Sequence, residues 1–300
     1  MANLFDRLFR KKKNPPSKST KIQTAPLSNS QIEAVSHQSI KLEPAQIMVG
    51  MGQSIGKQRD HNEDTLYVFS AMISGANPTL PFGVFIVADG MGGYEHGEIA
   101  SNLATRIMAD HLVQQLYMPY FDADPETQSA PLQEMMHAAF SAANQEVIKN
   151  VPGGGTTLTA AFLLGEQVTL THVGDSRAYF IYPDGRMKVM TRDHSLVNRL
   201  IELGQITEKE AFVHPQRNVL YRAIGQTEPL EPDISTYPIP RPGFLMMCSD
   251  GLWGYVQEME MFRIINDGPT PALACHKLVE MANSAGGPDN ISVILVQFLE

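Results

Sequence analysis

Five aspartates in this chain sit where a short apolar run meets a turn, which is where a cation site would draw its ligands. The run Val84 to Ala88 ends at Asp89 and continues as Gly90-Met91-Gly92-Gly93. Val173 leads through Gly174 to Asp175, and Phe244 to Cys248 leads through Ser249 to Asp250. Asp64 and Asp289 instead stand just ahead of apolar runs. An Asp-Gly pair after a strand is also ordinary turn chemistry, so a single junction of this kind decides nothing.

Strand ends within a sheet can converge, and converging carboxylates repel unless cations sit among them. No Cys/His pair has zinc spacing, so an all-oxygen set points to Mg2+ or Mn2+. A carboxylate has two oxygens and can bridge two ions. Asp89 is the candidate bridge, because glycine at position 90 lets a backbone carbonyl approach a ligand closely. Two ions about 3.5–4 Å apart would share a water, lower its pKa and aim it at phosphorus. Arg59, in the run Arg59-Asp60-His61-Asn62-Glu63-Asp64, carries the planar fork that grips phosphate oxygens and would neutralise charge in the transition state. The chemistry that follows is metal-assisted hydrolysis of a phosphomonoester, with no Ser, Cys or His nucleophile required.

The elements that must position these groups read as strands, then two helices, then strands again. Ile47 to Ser54 and Thr65 to Phe69 flank the charged run. A helix is expected over about Gly97 to Tyr117, with Ile99, Leu103, Ile107 and Leu112 on its apolar face, and a second over about Leu132 to Lys149. Two successive helices argue against a doubly wound sheet. A meander follows: Leu158 to Leu164, Gln167 to Val173, Arg177 to Tyr182 and Met187 to Met190, with glycine-containing turns between them. Gly153-Gly154-Gly155 lacks a Gly-Lys-Ser/Thr ending and precedes a strand, so it is not read as a phosphate loop. His172 alternates with Leu170 and reads as a core histidine. Residues 193 to 225 break the strand pattern with two short helices, the second opened by a Thr207 to Glu210 capping box. Helices near Tyr255 to Ile265 and Pro271 to Ala285 precede a last strand, Ile291 to Phe298.

Composition sets the surroundings. The chain has 300 residues, 43% of them hydrophobic, and a net charge of −9. Residues 1–30 hold seven Lys or Arg against one acid, a balance of +6 that leaves −15 on the rest. That acidic body excludes nucleic acid as the main partner. Residues 1–45 read as a basic tail, disordered when unbound. Its start, with Leu4, Phe5, Leu8 and Phe9 at helical spacing, offers residues 1–21 to an anionic membrane surface or a partner. The first thirteen residues lack a signal-peptide core, and no run is long enough to span a bilayer, so a cytoplasmic protein is expected. Cys248 and Cys275 suit a reducing compartment.

Taken together, the motifs resemble the metal-dependent protein serine/threonine phosphatases of the 2C family, in a bacterial form. The blocks run in order: Arg59-x-x-Asn62-Glu63-Asp64, Asp89-Gly90-Met91-Gly92-Gly93, Gly155-Thr156-Thr157, Val173-Gly174-Asp175-Ser176-Arg177, Thr191-Arg192-Asp193-His194-Ser195, Ser249-Asp250-Gly251-Leu252 and Gly287-x-Asp289-Asn290. The resemblance covers about residues 46 to 299. It implies an α+β fold: a four-layer α/β/β/α sandwich with two central, mainly antiparallel sheets, and a small flap at about 193–225. It also implies that Asp89, Asp250 and Asp289 bind one metal, Asp89 and the Gly90 carbonyl a second, and Asp175 with Asp250 a weaker third. Asp64 would act directly or through water, and Arg59 would bind phosphate. Family histidines are replaced here by Met91 and Tyr94. His96 is the substitute candidate for a proton donor, and a surface histidine at a helix start is the equal alternative. The expected activity is hydrolysis of phosphoserine and phosphothreonine in proteins by a monomer, opposing a serine/threonine kinase. The alternative is a metal-binding pseudophosphatase that acts as a scaffold.

Overall fold

The computed structural model describes residues 46–73, 80–92, 95–121 and 130–299. Its first strands are β1 (Ile47–Ser54), β2 (Asp64–Ile73) and β3 (Leu80–Met91), followed by helices α1 (His96–Leu112) and α2 (Leu132–Asn150). The meander is β4 (Gly155–Thr156), β5 (Leu158–Leu164), β6 (Gln167–Val173), β7 (Arg177–Ile181) and β8 (Met187–Val189). Two short helices, α3 (Leu196–Glu202) and α4 (Glu208–Phe212), lead to β9 (Asp233–Pro238) and β10 (Gly243–Cys248). The chain closes with α5 (Asp250–Trp253), α6 (Glu258–Asp267), α7 (Pro271–Ser284) and β11 (Ile291–Phe298).

The strands form two sheets. One has the order β1-β11-β10-β7-β8 and the other β2-β3-β5-β6-β9, with the short β4 also pairing β3. Every pairing is antiparallel. Because strand side chains alternate between faces, β3 serves two cores at once. Phe82, Val84, Ile86 and Ala88 pack beneath α1 and α2, while Phe85 and Val87 meet Leu245, Met247 and Ile294 of the other sheet. The outer face of that second sheet packs through Met246, Cys248 and Val293 onto Leu252, Met261 and Leu278 of the last three helices. The result is the expected four-layer sandwich. Burial on both faces explains why Val84 to Ala88 is continuously apolar rather than alternating, and each large side chain so buried contributes about 1.5–3 kcal/mol.

Several expectations are corrected. In α1, Ile99 is 47% exposed, and the buried seam is Gly97, Ala100, Ala104, Met108 and Leu112. Small residues win that face because they let the helix backbone approach β2 and β3 closely. Regular α-helix ends at Leu112, and a π-turn over Val113–Tyr117 carries the chain onward. The strand β9 was not expected at all: Asp-Ile-Ser-Thr-Tyr-Pro is a half-exposed edge strand without an apolar run. The capping box does form, with the Thr207 hydroxyl accepting from Glu210 N–H and the Glu210 carboxylate accepting from Thr207 N–H. His172 is a core histidine, its ring bonded to the Thr159 hydroxyl at 2.8 Å and the Arg192 carbonyl at 3.1 Å. The expected basic tail, Gly93 and Tyr94 lie outside the described residues. Among the described residues, no helix is long and apolar enough to cross a membrane.

Candidate active site

Asp64 opens β2 and Asp89 lies near the end of β3, and register makes them direct partners across the ladder. Opposed residues on an antiparallel pair project from the same face, so backbone pairing alone brings two carboxylates side by side. The Asp89 backbone is held from below: its N–H donates to the Thr157 hydroxyl at 2.9 Å, and its carbonyl accepts from Thr157 N–H at 2.8 Å and the Thr156 hydroxyl at 2.9 Å. The Gly-Thr-Thr segment is therefore an anchor for Asp89. Gly90 donates to the Glu63 carbonyl at 3.1 Å. It has to be glycine, since a Cβ there would lie 2.2 Å from the Gly97 carbonyl oxygen at the start of α1.

The other acids arrive on different segments. Asp175 follows Gly174, whose φ of +105° favours glycine. The carbonyl of Asp175 accepts from the Trp253 indole at 2.9 Å. Asp250 begins α5 directly after β10. Asp289 precedes Asn290, whose side chain donates to the Ile55 and His61 carbonyls and accepts from Glu63 N–H, tying the Arg59 loop to β11. Arg59 reaches the same mouth and donates to Asp289 Oδ2 at 2.9 Å.

These groups line a cleft of about 210 Å3 formed by Arg59, Glu63, Asp89, Gly90, Asp175, Asp250 and Asp289, with Met91, Asn218 and Leu220 at its sides. Asp64 lies behind that wall and is buried. Its Oδ2 accepts from the Ser249 hydroxyl at 2.8 Å. Burial holds Asp64, Asp89, Asp175 and Asp250 above the usual carboxylate range, and the neighbouring acids push each of them further in the same direction. Burial works against the Arg59 charge, but the Asp289 carboxylate more than offsets it.

Asp64 Oδ1 is buried without a hydrogen-bond partner, whereas Glu63 Oε1 has the His61 ring nitrogen 3.4 Å away, and a buried carboxylate oxygen left unpaired is costly. Among the described residues, no three acid, histidine or cysteine side chains are gathered into a finished metal cluster. Asp289 is drawn toward Arg59, 2.9 Å away. The donor set nonetheless suits hard divalent cations: oxygen ligands only, in excess of positive charge, with the buried Asp64 Oδ1 unpaired.

The structure thus brings Arg59, Asp89, Gly90, Asp175, Asp250 and Asp289 to one cleft, with Asp64 behind it. It does not bring His96, which is exposed at the start of α1 and is not among the residues lining the cleft. Glu63, Thr157, Ser249 and Asn290 were given no role from spacing. Two adjacent acids at a strand start, where one is ordinarily enough for a turn, was the available signal for Glu63.

The family profile described as protein phosphatase 2C matches residues 48–291. A serine/threonine phosphatase stp of Listeria innocua is 36% identical over 242 residues, covering 81% of this chain and 92% of that protein. The protein phosphatase PhpP of Streptococcus pneumoniae is 34% identical over 251 residues, covering 82% and 95%. Among solved structures, the S. agalactiae serine/threonine phosphatase superposes with a TM-score of 0.72 at 29% identity, over 85% of this chain and 100% of that one. A PstP catalytic domain in complex with two manganese ions gives 0.67 at 29% identity, over 85% and 99%.

Proposed function

The chain belongs to the protein phosphatase 2C family, and from that premise we propose that it is a metal-dependent phosphatase of phosphoserine and phosphothreonine in proteins. The observation that carries the reading is the convergence of Asp89, Asp175, Asp250 and Asp289, from four separate segments, on one cleft with Arg59 at its rim. A scaffold protein would have no chemical need for that full set.

Asp89, Asp250 and Asp289 would hold one Mg2+ or Mn2+, Asp89 with the Gly90 carbonyl a second, and Asp175 with Asp250 a weaker third. When bound, such cations lower the pKa of a water and spread the charge of the phosphoryl group. Arg59 orients the phosphate with its fork and offsets charge that builds on the phosphoryl oxygens. Thr156 and Thr157 keep the Asp89 backbone fixed, so that its carboxylate needs little reorganisation during turnover. Asp64, behind the cleft wall, acts directly or by holding water. His96, exposed at the start of α1 beside the cleft, or a metal-bound water would supply the proton for the leaving oxygen.

The natural substrates are a serine/threonine kinase and its targets, and the protein works as a cytoplasmic monomer, with residues 1–21 resting on an anionic inner membrane face. Purified full chain, Mn2+ and a phosphothreonine peptide test the core of this reading. Phosphate release that stops on chelation is expected, and no release with either Mn2+ or Mg2+ across pH would overturn it.

A further inference from the structure

A second cavity, larger than the cleft at about 570 Å3, opens beside it. The two share Asp175, Asn218 and Asp250 as walls, so the larger cavity is contiguous with the cleft that Arg59 lines. Its walls come from the segment between β8 and β9 on one side and from α5 and the residues after it on the other.

The walls are of two kinds. Val197, Ile201, Phe212, Trp253 and Tyr255 supply apolar and aromatic surface, half-buried except for Phe212. Of the two arginines inside, only Arg177 is ion-paired among the described residues. Arg177 forks onto Asp193 and stacks over the Trp253 ring at 3.6 Å, and Arg217 donates to the Phe212 carbonyl and the Tyr255 hydroxyl. Four further carboxylates stand on these walls, two of them Asp175 and Asp250 of the cleft. Glu208 at the start of α4 and Glu258 at the start of α6 line the cavity and are exposed. Neither has an ion-pair partner among the described residues.

Resting on the phosphatase reading, we propose that this cavity receives a lysine or arginine side chain of the substrate close to the phosphorylated residue. A long aliphatic stem along Val197, Ile201 and Tyr255 with a cationic head at Glu208 and Glu258 uses both kinds of wall. The acidic body of the chain, −15 outside the first thirty residues, acts in the same direction. It repels a bare dianionic phosphoresidue, and a basic neighbour offsets that repulsion.

The test walks a single lysine through each position flanking phosphothreonine in otherwise neutral peptides, with alanine and glutamate series beside it, using the full chain with Mn2+. At one position lysine should lower KM about five-fold relative to alanine, with kcat little changed, and the gain should fade at high salt. Glu208→Gln with Glu258→Gln should bring the lysine and alanine KM values together, and Glu258→Lys should make the glutamate peptide the better substrate. Thermal melts of each variant establish that it folds. Equal KM across the three series in the parent protein overturns the proposal, as does a lysine preference that survives the double substitution. Hydrolysis of no peptide at all overturns the phosphatase reading beneath it, a result distinct from either.

Discussion

Asp64 and Asp89 stand directly opposite one another on the β2–β3 ladder, two acids held side by side by strand register. Like charges placed so are destabilising. Their cost is borne because the same register delivers both to the end of a sheet where cations would relieve them.

The first consequence is in stability. Asp64, Asp89, Asp175 and Asp250 hold protons more tightly in the folded chain than in the unfolded one, where aspartate ionises near pH ~3.9. As pH rises above that value the unfolded state loses its protons first, so the folded state is progressively disfavoured until its own raised pKa values are passed. A divalent cation takes the place of those protons. The rise in Tm on adding Mn2+ to chelator-treated protein should therefore be larger at about pH 8 than at about pH 5. An equal increment at both, read by scanning calorimetry, would contradict the account.

Replacing Asp250 by asparagine removes one charge from the cluster while keeping its shape. Turnover of a phosphothreonine peptide should fall at least about a hundred-fold. The metal-free melting temperature should hold or rise, since a repelling carboxylate has gone. Steady-state kinetics paired with a circular-dichroism melt separates the two effects.

Arg59 shares its guanidinium with Asp289 at 2.9 Å. Arg59→Ala removes the phosphate-orienting fork and frees Asp289 at the same time. Catalytic efficiency should drop about ten- to a hundred-fold, the worth of a hydrogen bond to a charged group, while Mn2+ affinity measured by calorimetry holds or tightens. A parallel loss of both would mean that Arg59 serves the fold rather than the substrate.

His172 acts against the aspartates, costing stability in acid where they add it. Burial, helped by the neighbouring His194, pushes its pKa down to about 3, so below about pH 6.5 the unfolded chain gains a proton that the folded one refuses. The resulting slope is at most ~1.4 kcal/mol per pH unit. His172→Gln should shift the pH dependence of urea stability between about pH 7 and pH 5 toward greater stability in acid, and an unchanged dependence would contradict the assignment.

How much of this was legible in the sequence depended on whether a signal was local. β1, β6 and β11 match their apolar runs to the residue, because runs bounded by turns fix strand ends. The acids at strand ends were equally visible, since each sits next to its own element. β9 escaped because an edge strand with one half-exposed face needs no apolar run; on α1, Leu103, Ile107 and Leu112 do pack against the core, and only Ile99 was misplaced, because Ala100 and Ala104 pack closer than it can. Glu63 and Asn290 act through bonds to segments more than two hundred residues apart in sequence, a relation no spacing records. His96 shows the converse: a residue of suitable type, two places from a gap in the motif, faces solvent instead.

The most direct test of the account is phosphate release from a phosphothreonine peptide across a Mn2+ titration, by the parent chain and by Asp89→Asn side by side. The account predicts release that rises and saturates with Mn2+ in the parent, none in chelator, and loss of at least about a hundred-fold in the variant at every Mn2+ concentration. Release by the parent without divalent cation, or an Asp89→Asn variant that recovers full activity, would contradict it.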